Sequence, residues 1–225
     1  NTTQLTENSF VVRQVVGVVR HPNYARDQFS YTSIPGNADI TIKRPAEIEG
    51  QILLKGTNQP AVGAHIELVG GTFSILSNKA TTDTNGKFRI GNLLPGSYRF
   101  SAKLEGKAIL FLENLDLPEG SHQQTFQLEN GGLIKGKVID VTTELPIRLA
   151  EDESMSMSEA LPNGHWYMGM PSAKIQLDGT FTMRLATGTR YFGMYFGPNW
   201  QGVNTDQLFD KGIEVREGEV VELEI

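Results

Sequence analysis

The residues in this chain with the most chemical potential lie close together in the second half. Two Met-x-Met pairs, Met155-Ser156-Met157 and Met168-Gly169-Met170, flank His165 and Trp166. Thioether sulfurs with an imidazole suit a soft ion such as Cu(I), and an indole face can lie against a bound cation. The set Met155, Met157, His165, Met168 and Met170 is therefore a candidate copper site. The plainer reading, and the one adopted, is that each Met-x-Met alternation marks the inward face of a strand, with methionine filling irregular gaps in a core. A third reading takes His165, Trp166, Tyr167 and Trp200, near Tyr195 and Phe196, as a platform on which sugar rings stack.

Elsewhere the chemistry thins out. His21, His65, His122 and His165 are scattered, and there is no Gly-x-Ser-x-Gly elbow, phosphate-binding glycine loop or His-Glu-x-x-His. Asp83-Thr84-Asn85-Gly86 has the start of a calcium loop but no glutamate at the twelfth position, so Asp83 is expected to build a turn. With no cysteine there are no thiolate ligands, cysteine nucleophiles or disulfides. The expectation is a chain that is not an enzyme and carries no cofactor.

The elements that must position these residues read as short strands. Gln51-Ile52-Leu53-Leu54, His65-Ile66-Glu67-Leu68, Lys87-Phe88-Arg89-Ile90 and Ser97-Tyr98-Arg99-Phe100 alternate apolar and polar residues, the period of half-buried strands. Thr84-Asn85-Gly86 and Pro95-Gly96 supply turn residues between them. The pattern then repeats. Phe88 and Tyr98 return as Phe181 and Tyr191 at one common spacing, the Gly86 turn returns at Asp178-Gly179, and Ile48-Glu49-Gly50-Gln51-Ile52 is answered by Ile134-Lys135-Gly136-Lys137-Val138. Leu115 to Leu128 and Ile213 to Ile225 close the two copies. This predicts two modules, 47–130 and 131–225, the second with an insertion at about 149–171, each an antiparallel β-sandwich of Ig-like size. Phe88, Tyr98, Phe181 and Tyr191 should be buried, with positive φ at Gly86 and Gly179. Residues 1–46 hold the apolar run from Phe10 to Val19 and a strand-like Asp39 to Lys43. They fit either the last strands of a truncated preceding module or edge strands added to the first full one.

Across 50–104, and more loosely 134–195, the chain resembles the carboxypeptidase regulatory-like domain and its prealbumin-like and collagen-adhesin B-type relatives. Pro60, Gly63-Ala64, Asp83, Gly86, Phe88, Leu93, Pro95-Gly96 and Tyr98 carry the resemblance. It implies an all-β spacer, stalk or accessory module of secreted and cell-surface proteins, and no peptidase activity. Some adhesin-type relatives join a lysine to an asparagine covalently, with help from a buried acid. Lys55 and Asn130 would be the partners implied, but the strand after Tyr98 offers no carboxylate before Glu105, so Lys55 is expected to be a solvated strand residue.

Bulk properties agree with a recognition or spacing role. A formal charge of −6 disfavours nucleic acid and anionic lipid as partners, and 39% hydrophobic residues suffice for real cores. No run approaches the ~20 apolar residues of a membrane span. The first residue is Asn1, so a leader or anchor is expected upstream. The reading is a non-enzymatic spacer or docking unit, extracytoplasmic, whose partners are other domains of its parent, with a glycan as the alternative ligand.

Overall fold

The computed structural model describes residues 15–31, 42–70, 77–140, 142–150, 154–162, 164–165, 167, 169–196 and 212–224. Among them there is no helix. Strands β1 (Val15–His21) and β2 (Tyr24–Tyr31) form a two-stranded hairpin that is a sheet of its own. Residues 42–45 are irregular, and the rest of the run read as strand-like near Asp39 lies outside the described residues.

Two sandwiches of seven strands follow. The first is built from β3 (Ala46–Leu54), β4 (His65–Gly70), β5 (Ser77–Thr81), β6 (Lys87–Leu93), β7 (Gly96–Lys103), β8 (Leu110–Leu117) and β9 (Gly120–Leu128). Its sheets are ordered β6-β3-β9 and β5-β4-β7-β8. The second uses β10 (Gly132–Lys137), β11 (Met155–Ala160), β12 (Ser172–Lys174), β13 (Thr180–Leu185), β14 (Gly188–Phe196), β15 (Ile213–Val215) and β16 (Val220–Glu224). Its sheets, β13-β10-β16 and β12-β11-β14-β15, repeat the first topology strand for strand. The fold is thus a tandem of all-β sandwich modules. One pairing per module is parallel, β3 with β9 and β10 with β16, because each closing strand returns beside the opening strand in the same direction.

Each core follows from the two-residue period. In the first module Ile48, Ile52, Ile66, Leu68, Phe88, Phe100 and Phe126 point inward, with the Phe100 and Phe126 rings stacked at 4.3 Å. In the second Ile134, Met155, Met157, Phe181, Met183 and Leu185 do the same. A glycine under an aromatic ring sets the thickness of both layers. Gly50 lies opposite Phe88 and Gly136 opposite Phe181, and a Cβ on either glycine would come within 2.1 Å of the ring. The ring covers the bare strand and gains the space a side chain would have filled.

The turns also match. Asp83 Oδ1 accepts N–H bonds from Asn85 and Lys87, both at 2.8 Å, which closes the loop before Gly86 at φ +72°. Asp178 Oδ1 accepts from the Thr180 N–H and hydroxyl before β13, and Gly179 has φ +79°. A Cβ on Gly86 would lie 2.4 Å from Ile52 O, and one on Gly179 would lie 2.8 Å from Ile147 O. Gly86→Val and Gly179→Val are each expected to destabilise their own module by about 1–3 kcal/mol. Urea unfolding of the two variants checks this, and an unchanged midpoint for both would contradict it.

Tyr191 departs from expectation, since it is only half-buried. Tyr98 lies flat over Gly70, where a Cβ would meet its ring at 2.2 Å, and its hydroxyl donates to Leu94 O at 2.7 Å. Tyr191 is instead paired with Ala160, which carries a methyl where Gly70 has none. Arg190, one residue earlier, takes over the bonding, donating from Nε to Ala186 O at 2.9 Å and from Nη2 to Thr187 O. A guanidinium replaces the tyrosine hydroxyl at the same corner of the sandwich.

Candidate functional site

The junction between the modules is three residues long, because β9 ends at Leu128 and β10 begins at Gly132. All three are held. Glu129 Oε2 accepts from Lys55 Nζ at 2.7 Å in the first module, while its Oε1 accepts from the N–H and hydroxyl of Thr187 in the second. Asn130 takes Lys107 Nζ at 2.6 Å on its side-chain oxygen, donates to Glu217 Oε1 at 2.9 Å, and accepts Arg184 Nη1 at 2.9 Å on its backbone oxygen. Gly131 has φ +63°, and a Cβ there would lie 2.0 Å from Leu185 O.

From Glu129 the polar contacts continue into the second core. Thr187 O accepts from Arg190, whose Nη1 pairs with Glu159 Oε1 at 3.1 Å. Glu159 is 7% exposed, on the inward face of β11 beside Met157. Burial pushes its carboxyl above the usual range, and Arg190 offsets only part of that. Glu129 goes the other way. Burial pushes it up, but the hydrogen bonds from Lys55 and Thr187 outweigh this and hold it below the usual carboxylate range. The sequence reading missed this chain of contacts, and no spacing or motif in the residues concerned announces it.

The loop from 161 to 171 reaches back across the junction. Arg99 on β7 lies over the Tyr167 ring, 4.9 Å from its centroid. Gly169, at φ +98°, packs so closely on the first module that a Cβ would lie 3.3 Å from Ser101 Oγ and 3.9 Å from Phe111. Met170 is buried, and its sulfur accepts from the Tyr167 N–H at 3.2 Å.

These positions separate the proposed copper ligands. Met155 and Met157 fill the second core, as the plainer reading expected, and the part of the segment read as an insertion that holds them is strand β11. Met170 lies outside that cluster, in the loop and on no strand, against the expectation of a second strand there. His165 is exposed, and Met168 lies outside the described residues. Of the aromatic set, Tyr167 is half-buried against Arg99, whereas Trp166 and Trp200 and the side chains of Tyr195 and Phe196 lie outside the described residues. Among the described residues no group of three or more His, Asp or Glu is placed to hold a metal. Lys55 is in the turn after β3, not on a strand, and pairs with Glu129 instead of Asn130. Lys107, Asn130 and Glu217 do bring amine, amide and acid together, in a setting open to water where the amine donates a hydrogen bond to the amide oxygen.

The strand order, the glycine-under-phenylalanine pairs and the aspartate turns define a tandem of small β-sandwich modules. Residues 47–129, the first sandwich, match the family model of the carboxypeptidase regulatory-like domain. No curated protein matches the chain. Among solved structures, the TIE protein of Bacillus anthracis is 17% identical with a TM-score of 0.35, covering 89% of this chain and 36% of its own. A streptococcal ancillary pilin is 15% identical with a TM-score of 0.30, covering 92% and 73%. The minor pilin GBS52 of Streptococcus agalactiae is 10% identical with a TM-score of 0.32, covering 80% and 94%. This chain thus spans about a third of the TIE chain. Among the described residues no helix is long and apolar enough to cross a membrane.

Proposed function

We propose that the chain is a non-enzymatic, rigid two-module spacer and docking unit of a larger extracytoplasmic protein. The observation that carries this reading is the clamped junction. A flexible tether would leave its backbone and side chains solvated, whereas residues 129–131 bond to both modules and leave no slack between β9 and β10. The loop from 161 to 171 adds a second fastening at Tyr167 and Gly169. Such a unit holds whatever lies before and after it at a fixed spacing and angle, and its partners are the other domains of its parent. No catalytic step is assigned to it.

Spin labels on exposed sites of β6 and β13 test the reading through the distance distribution between modules. The expected result is a narrow distribution that broadens in Glu129→Ala and broadens further in Gly131→Val, which adds a Cβ against Leu185 O. A broad distribution in the unaltered chain would overturn the spacer.

A further inference from the structure

A groove of about 590 Å³ opens beside the 161–171 loop, with walls from both modules. Its floor is the outward face of β5, β4 and β7. The strand register sets the floor as two rows, Thr81, His65 and Lys103 in one, then Lys79, Glu67 and Ser101 in the other. Side chains in such rows stand about 5 Å apart. Gly169, Met170 and Ser172 of the second module form one wall, and Ile109 adds apolar surface. That wall is preformed, since Gly169 is packed on Ser101 and Met170 is buried.

The charges are unevenly satisfied. Glu67 is the one carboxylate among the described lining residues, and Lys79 Nζ lies 3.4 Å from it. The backbone of Lys103 is in the ladder with His65, but its ammonium has no hydrogen-bond or ion-pair partner among the described residues. His65 is exposed, with Nδ1 3.5 Å from Thr81 Oγ1, and its Nε2 is a further polar atom of the lining. The groove therefore presents an ammonium, an imidazole nitrogen and the hydroxyls of Thr81, Ser101 and Ser172 beside the small apolar patch of Ile109 and Met170. Its volume is that of a small-molecule site at a domain boundary, too large for a bare ion. A carboxylate beside Lys103 would make a charge-assisted bond, and clustered hydroxyls would pair with the three side-chain hydroxyls.

We propose that this groove binds a sugar acid, a carboxylate-bearing pyranose of the uronate class, with its carboxylate at Lys103 and His65. The proposal goes beyond the spacer reading. Amide chemical shifts of the full chain, titrated with glucuronate and galacturonate and separately with glucose and acetate, test it. Expected are saturable shifts at His65, Thr81, Lys103 and Ser172 with at least one uronate, and at least tenfold weaker responses to glucose and acetate. Lys103→Ala should weaken uronate binding about tenfold or more without changing the melting temperature, because Lys103 is exposed. Absence of saturable shifts with both uronates would overturn the proposal. So would an equal response to acetate, or unchanged binding in Lys103→Ala.

Discussion

Phe88→Ala is expected to cost the first module about 3–5 kcal/mol, the range for removing a buried aromatic ring. The side chain is 6% exposed and sits 6.1 Å from Phe100 and 6.3 Å from Phe126, so its loss opens a hole in the three-ring centre of the core. It also uncovers Gly50, which has no side chain with which to fill the gap. Neighbouring strands cannot collapse into that gap without breaking the β3 to β6 register. Urea unfolding gives the number, and Phe181→Ala over Gly136 provides the parallel test in the second module. A loss below about 1 kcal/mol would show that Phe88 is not a core anchor.

Arg190→Ala should cost the second module a comparable ~3–5 kcal/mol, because it leaves a buried carboxylate without its partner and two carbonyls without a donor. Arg190→Lys should rescue little, since one ammonium cannot reach Ala186 O, Thr187 O and Glu159 together as the guanidinium fork does. The pH dependence has a definite sign. The Glu159 carboxyl is raised in the folded protein, so the folded state holds its proton more tightly than the unfolded state does. Its contribution therefore falls as pH rises from the ordinary glutamate value through the raised one. Without Arg190 the carboxyl is pushed higher still, and the variant's deficit should be larger at neutral pH than in acid. Glu129 has the opposite sign. Its lowered carboxyl contributes at neutral pH and loses that contribution as pH falls through the folded value. Denaturation of Arg190→Ala and Glu129→Ala at pH 4 and pH 7, each against the unaltered chain, checks both signs: Arg190→Ala uncovers the penalty on Glu159 and Glu129→Ala removes a favourable carboxylate, so each deficit should be larger at pH 7 than at pH 4. A deficit larger at pH 4 than at pH 7 in either variant would contradict the assignment for that group.

The readable parts of this molecule were those written in short-range pattern. Alternation placed Ile66, Leu68, Phe88 and Phe100 on one face, and the recurrence of Gly50 and Phe88 as Gly136 and Phe181 disclosed the repeat before any pairing was known. Asp83 was legible as a turn because an aspartate before Asn-Gly has local bonds to make. The first Met-x-Met pair obeyed the strand period, but Met170 has the same spacing from Met168 and belongs to a loop, so two residues of alternation are too few to fix an element. Tyr191 shows the limit of alignment by spacing, since a methyl on the opposite strand and an arginine beside it change what the same residue does. The junction was hidden for a different reason. Gly131-Gly132 has the composition of a loose linker, and the bonds that hold the junction come from Lys55, Arg184, Thr187 and Glu217, which only the finished fold brings together. The same holds for the groove, whose floor and wall come from different modules.

The parallel pairing of first and last strands determines how the chain bears a load. In the first module β3 and β9 run side by side through nine register pairs, from Ala46 with Gly120 to Leu54 with Leu128. A pull that enters before Ala46 and leaves after Leu128 slides one strand along the other, so all the rungs are stretched together instead of one after another as in a zipper opened from its end. The second module is loaded in the same shear direction, but its β10 to β16 ladder has five register pairs among the described residues. Under tension along the chain the second sandwich is expected to yield first, with the first, on its longer ladder, as the stronger link.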